Sequence, residues 1–253
     1  MRFSHYLALG DSMSIDLYPA LDVGQTAVAV NLERDAQAGG VAPLGAASLL
    51  VGNDDERWPE FAGRDLRSRF PGIGVTNLAA DGATVGEVFA DQIPELVERD
   101  DAVLVTLTVG GNDLLSAFAV RQGARGRDLM PRIVRDITHA YELLVADVVR
   151  TLPNATLVLT TVYDPSDGTG LVPGLFEDAG ALPLEHLAVL NDHIRRTAAD
   201  TPGARLADVH GHFLGHGVSA PEAERYYWRR SLIEPSALGA SEIRRAWLEA
   251  IGL

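Results

Sequence analysis

Tyr6-Leu7-Ala8-Leu9-Gly10-Asp11-Ser12-Met13-Ser14 is the stretch on which the reading of this chain turns. Four apolar residues run directly into a glycine, an acid and a serine. A short, continuously apolar run closed by turn residues reads as a buried strand. A serine just past the carboxyl end of such a strand stands where an α/β enzyme mounts a nucleophile.

The same pattern recurs along the chain. Apolar runs at 75–78, 102–109, 156–160 and 204–208 predict four more strands, nearly all apolar, as strands covered on both faces must be. Helical patterns separate them. Residues 58–70 end at Pro71-Gly72, a stop signal, and 129–152 carries Ile133, Ile137, Tyr141, Leu144 and Val148 at helical spacing. Helices are also predicted over 184–199 and 238–251, the last with Ile243, Trp247 and Ile251 on one face. Strands alternating with helices imply parallel pairing. The expectation is one domain over 1–253, an α/β three-layer sandwich with a five-stranded parallel sheet. Residues 22–55, rich in Gly and Ala, predict an excursion with a short hairpin, and 163–183 a long loop.

Composition prunes the chemistry. The 253 residues are 47% hydrophobic and carry a net charge of −14, which disfavours nucleic acid and anionic membrane surfaces as partners. There is no run of ~18 apolar residues to span a bilayer. Met1–His5 leads straight into the first strand, so the expected location is cytoplasmic. There is no cysteine, and all 21 basic residues are arginine. Thiol nucleophiles, a Schiff base and a phosphate-loop lysine are thereby excluded.

Two further segments join Ser12: Asn77-Leu78-Ala79-Ala80-Asp81-Gly82, and Val109-Gly110-Gly111-Asn112-Asp113 after a strong strand. Gly52-Asn53-Asp54 is a decoy of the latter with no strand before it. Together the three blocks resemble the SGNH hydrolases, the GDSL esterase and lipase family, over 7–250. The resemblance implies a flavodoxin-like strand order and a nucleophile at Ser12. It also implies an oxyanion hole from the Gly82 N–H and the Asn112 amide. No cofactor is implied.

The family's last block, Asp-x-x-His-Pro before the final helix, is altered. Here it reads Ser231-Leu232-Ile233-Glu234-Pro235, with Glu234 at the histidine position and Ser231 at the aspartate position. The base must therefore come from elsewhere. Of the seven histidines, His5 starts the first strand and His139, His186 and His193 sit within helices. His210, His212 and His216 leave the last strand at the ligand-binding rim. His216 lies between Gly215 and Gly217, and the expectation is a relocated triad in which His216 is the base and Glu234 holds its tautomer. Other readings stay open: His210 or His212 as base, or Glu234 itself, provided burial raises its pKa from about 4.3. Asp208, His210 and His212 form an alternative metal site if the strand continues that far. Asp164 and Asp167 are turn formers that border the pocket.

The expected function is hydrolysis of a small-molecule carboxylic ester through an acyl-enzyme. The alternatives are a catalytically silent binding module and a metal-dependent hydrolase.

Overall fold

Each apolar run becomes a strand of one sheet: β1 (His5–Gly10), β2 (Gly74–Asn77), β3 (Val103–Thr108), β4 (Thr156–Thr160) and β5 (Ala204–Ala207). All pair in parallel, in the order β2-β1-β3-β4-β5. The structure is a computed structural model that describes residues 2–24, 42–123, 129–175 and 180–253. Among these the helices are α1 (Leu17–Asp22), α2 (Ala46–Val51), α3 (Leu66–Arg69), α4 (Val85–Glu87), α5 (Gly111–Gly123), α6 (Met130–Thr151), α7 (Leu184–Asp200), α8 (Val209–Phe213) and α9 (Ala237–Ile251).

Side chains alternate across the strands, so the sheet has two cores. Tyr6, Ala8, Leu104 and Val158 face one side with Leu49 and Leu50 of α2 and Ile243 and Trp247 of α9. Leu7, Leu9, Val105, Leu107, Leu157 and Leu159 face the other, against Tyr141, Leu144 and Val148 of α6 and Leu190 and Ile194 of α7. Polar core atoms find partners: Tyr6 Oη meets Thr106 Oγ1 at 2.9 Å, and Trp247 Nε1 donates to Thr160 Oγ1 at 2.9 Å. Helices on both faces of a parallel sheet give the expected α/β architecture. No helix of the described residues is long and apolar enough to cross a membrane.

Local expectations needed correction. The helix over 58–70 is broken into a 3-10 turn (Pro59–Phe61) and α3, because a new cap starts at Asp65, whose carboxylate accepts the Ser68 N–H. The helix α5 went unforeseen, its start hidden in the turn-forming Gly-Gly-Asn-Asp. Also unforeseen is an antiparallel hairpin, β6 (Tyr227–Trp228) and β7 (Ser231–Pro235), whose Arg229-Arg230 turn has none of the Gly or Asn that marks such turns. The hairpin expected within 22–55 falls largely on 25–41, outside the described residues; beyond them, 46–51 is helical.

Candidate active site

The strand ends make the site. β1 stops at Gly10, whose φ of +123° is available to glycine; a Cβ there would run into the Thr108 carbonyl of β3. The chain therefore turns off the sheet close against β3 and delivers Ser12, which is 6% exposed. Gln92 holds the turn: the Gly10 N–H donates to its Oε1 and its Nε2 donates to the Gly10 carbonyl, both at 2.8 Å. Gln92 ends a π-helical turn (Val88–Gln92), a distortion often found beside functional groups. Asp11 accepts the Met13 N–H at 3.1 Å, and burial raises its pKa to about 7. Asp16 accepts from Gly45 N–H (2.7 Å) and Ser48 Oγ (2.9 Å), tying the segment after the serine to the start of α2.

The second block is clamped to this turn, and the third to the segment that follows the second. The Ala80 N–H donates to the Gly10 carbonyl at 3.0 Å. Asn112 Nδ2 donates to the Ala83 carbonyl at 3.1 Å, and Asp113 accepts the Val85 N–H at 3.0 Å. Gly82, with a φ of +71°, lies between these anchors. One N–H of the Asn112 amide orients the group, which leaves the second for a ligand. Asn112 and Ser12 line one cleft.

Glu234 enters the same cleft from the end of β7. The Ser12 hydroxyl stands beside its carboxyl and pulls its pKa down. Glu234 is 8% exposed, and its Oε2 is buried with no hydrogen-bond partner among the described residues. Burial raises its pKa to about 8 against the pull of the Ser12 hydroxyl, with the nearby Asp81 and Asp11 charges adding to the rise. Tyr18 Oη donates to both Asp81 carboxylate oxygens at 3.0 Å beside it.

His216 is not brought to Ser12. Its Nδ1 meets the Glu224 carbonyl at 2.8 Å and its ring stacks on Tyr226 at 3.9 Å, outside the cleft lining. The flanking glycines serve docking: Gly215 and Gly217 N–H groups both donate to Asp167 Oδ1 at 3.0 Å. The relocated triad therefore has Ser12 and Glu234 in contact and His216 elsewhere. His210 and His212 sit on α8, so they do not share a strand face; His212 Nε2 bonds Glu242 Oε2 at 2.7 Å, while Asp208 bonds Arg195 and Thr161. Among the described residues no group of three or more His, Asp or Glu side chains is placed to hold a metal. Asp164 lines the cleft but spends its carboxylate on Ser166 and Gly168 N–H groups, the turn role expected of it.

Sequence reasoning passed over three contributors. Gln92 is one. Asn191 is another: its amide exchanges hydrogen bonds with the Val162 backbone at 2.8 Å just beyond β4. His186, set aside as a helix residue, lines the cleft from the first turn of α7. Nothing in the sequence marks these side chains, because their partners are backbone groups or a cleft formed only on folding.

The sequence profile of the GDSL-like lipase/acylhydrolase family matches residues 37–240. The chain belongs to that family. The matched span takes in Gly82, Asn112 and Glu234 and starts after Ser12, so the family member's first block rests on the sequence and the fold. No curated protein matches it in sequence. Solved structures share its fold over almost the full length. An α/β hydrolase enzyme from the metagenome of Lake Arreo is 22% identical, with a TM-score of 0.60 over 100% of this chain and 97% of that one. Phospholipase A1 from Streptomyces albidoflavus is 18% identical, with a TM-score of 0.57 over 99% and 98%. An acetylxylan esterase from Geobacillus stearothermophilus is 19% identical, with a TM-score of 0.57 over 100% and 95%.

Proposed function

We propose that this family member is a serine esterase that cleaves carboxylic esters through an acyl-enzyme on Ser12, with Glu234 as the general base. The observation that carries this reading is that the Ser12 hydroxyl shares one cleft with, and stands beside, a carboxyl whose pKa burial raises to about 8. An ordinary glutamate is too weak a base to draw a proton from serine, whereas one raised to about 8 matches or exceeds an imidazole's ~6.5. An imidazole also needs a third residue to fix its tautomer. A carboxylate has no tautomer, which fits Ser231 standing where the family pattern has aspartate.

The ionised Glu234 takes the hydroxyl proton as Oγ bonds to the ester carbonyl carbon. The Asn112 amide and the Gly82 N–H stabilise the oxygen that becomes negative. As the tetrahedral adduct collapses, the bond to the alcohol oxygen breaks and Glu234 returns the proton to that oxygen. In the second half a water gives its proton to Glu234 and its oxygen to the acyl carbon, and Ser12 leaves reprotonated.

The test is release of p-nitrophenol from p-nitrophenyl esters by wild type, Ser12→Ala and Glu234→Gln. Both variants should fall to the uncatalysed rate while keeping the wild-type melting profile at pH 4, where the Glu234 carboxyl is protonated in the folded and unfolded chain alike. Activity that survives Ser12→Ala overturns the proposal. Wild type that turns over no ester while still binding one supports the silent binding module, which the missing imidazole favours.

A further inference from the structure

The cleft holding Ser12 is walled by Leu114, Leu115 and Phe118 of α5, Leu182 just before α7, Leu187 in its first turn, and Val162 beyond β4. The leucines among them are half-buried. Leu114 and Leu187 also pack on the sheet core, but among the described residues Leu115 and Leu182 join none of the core clusters. Apolar side chains that line a cleft without belonging to a core lose water only when something covers them. The polar groups in the wall do not alter its character. Asp11 and Asp164 are buried and turned onto neighbouring N–H groups, Glu234 stands beside Ser12, and among the described residues no arginine lines the cleft and His186 is its one basic side chain.

We infer that this cleft is the acyl subsite and that it selects a neutral, unbranched apolar acyl group of several carbons over both acetate and acyl groups ending in a carboxylate. The inference rests on the esterase reading. The serine at one end fixes where the carbonyl carbon lies, so the apolar wall receives the tail attached to it. A tail carboxylate would enter beside three acids, Asp11, Asp164 and Glu234, with a single basic side chain, His186, among the described lining residues, in a site where desolvating a charge is costly.

The experiment measures kcat/KM for p-nitrophenyl acetate, butyrate and hexanoate and for mono-p-nitrophenyl adipate, which matches hexanoate in length but ends in a charge. Each fully buried methylene is worth about fourfold, so the four extra methylenes of hexanoate should raise it above acetate by up to roughly 250-fold. Adipate should fall below hexanoate by about 100-fold. Leu115→Arg should erase most of the preference for hexanoate and narrow the gap to adipate. Leu182→Arg is a second route should the first fail to fold. In parallel, calorimetry on Ser12→Ala should show hexanamide binding at concentrations where acetamide does not, independently of turnover. Ser12-dependent hydrolysis that is flat in chain length, or adipate turned over as fast as hexanoate, overturns the acyl subsite and leaves the esterase standing. Loss of all Ser12-dependent hydrolysis with hexanamide still bound overturns the esterase and supports the subsite; loss of both overturns both.

Discussion

The titration of Glu234 offers a sharp test of the base. The perturbation is pH, and the quantity is kcat/KM, which reports ionisation in the free enzyme. A base works only when deprotonated. Because burial raises Glu234 to about 8, activity should be present above that value and lost as pH falls through it. For a single titrating group, about half the molecules carry the active base at pH 8, about a tenth at pH 7 and about a hundredth at pH 6. Between pH 6 and 9 kcat/KM should therefore climb roughly 90-fold, with a slope near one decade per unit on the acid limb. A histidine-based enzyme with a pKa of about 6.5 would already be level by pH 8. The assay is initial-rate hydrolysis of p-nitrophenyl butyrate across that range, corrected for spontaneous hydrolysis and for p-nitrophenol ionisation. Glu234→His sharpens it: the midpoint should move down toward about 6.5. A wild-type midpoint near 6.5, or an acid limb unchanged in Glu234→Gln, would refute the reasoning. A midpoint that moves with His186→Ala would transfer the role to the imidazole in the cleft wall.

Other outcomes follow from the same geometry. His216→Ala should leave kcat/KM close to wild type, since its ring is held by Glu224 and Tyr226 outside the cleft; a loss comparable to that of Ser12→Ala would restore the relocated triad. Asn112→Ala should lower kcat by about 100- to 1,000-fold with little change in KM, the signature of a lost oxyanion donor. Gln92→Leu should cost about 1–3 kcal/mol in chemical denaturation, because the Gly10 N–H loses its partner in a buried turn, and should lower kcat along with stability. Glu234→Gln should stabilise the protein in alkali. The folded-state pKa is raised, so the wild type is most stable while that carboxyl is protonated and loses stability as pH rises from 4.5 through about 8. The amide escapes that loss, and urea midpoints at pH 9 should favour the variant by about 2–4 kcal/mol.

The sheet was legible because its strands are buried on both faces and therefore read as uninterrupted apolar runs; the predicted 156–160 coincides with β4 and the others differ by one or two residues. That Ser12 and Asn112 come to one cleft was legible for a related reason, since each follows a strand closely enough that the strand end fixes its place; Gly82 is not in the lining of that cleft. Glu234 was visible only as a departure from the family pattern, and its contact with Ser12 was not, because the β6–β7 hairpin that delivers it lacks recognisable turn residues. The misreading of His216 came from its neighbours. Gly215 and Gly217 suggested a backbone bent to aim an imidazole, whereas their N–H groups are there to dock on Asp167, a non-local partner that no window around His216 reveals. The amide clamps of Gln92 and Asn191 escaped notice because glutamine and asparagine inside helical segments look no different from solvated ones.

The serine at position 12 and the carboxyl at 234 that stands beside it are separated by nearly all of the sheet in chain order. The carboxyl's hairpin is fastened by the C-terminal helix, whose Ala237 N–H reaches back to Asp22 and whose indole closes onto β4. An emerging or refolding polypeptide can therefore assemble most of its sheet and still be chemically inert. Onset of turnover would be a clock for the docking of the last helix, separable in time from the fluorescence and circular-dichroism changes that mark the collapse of everything before it.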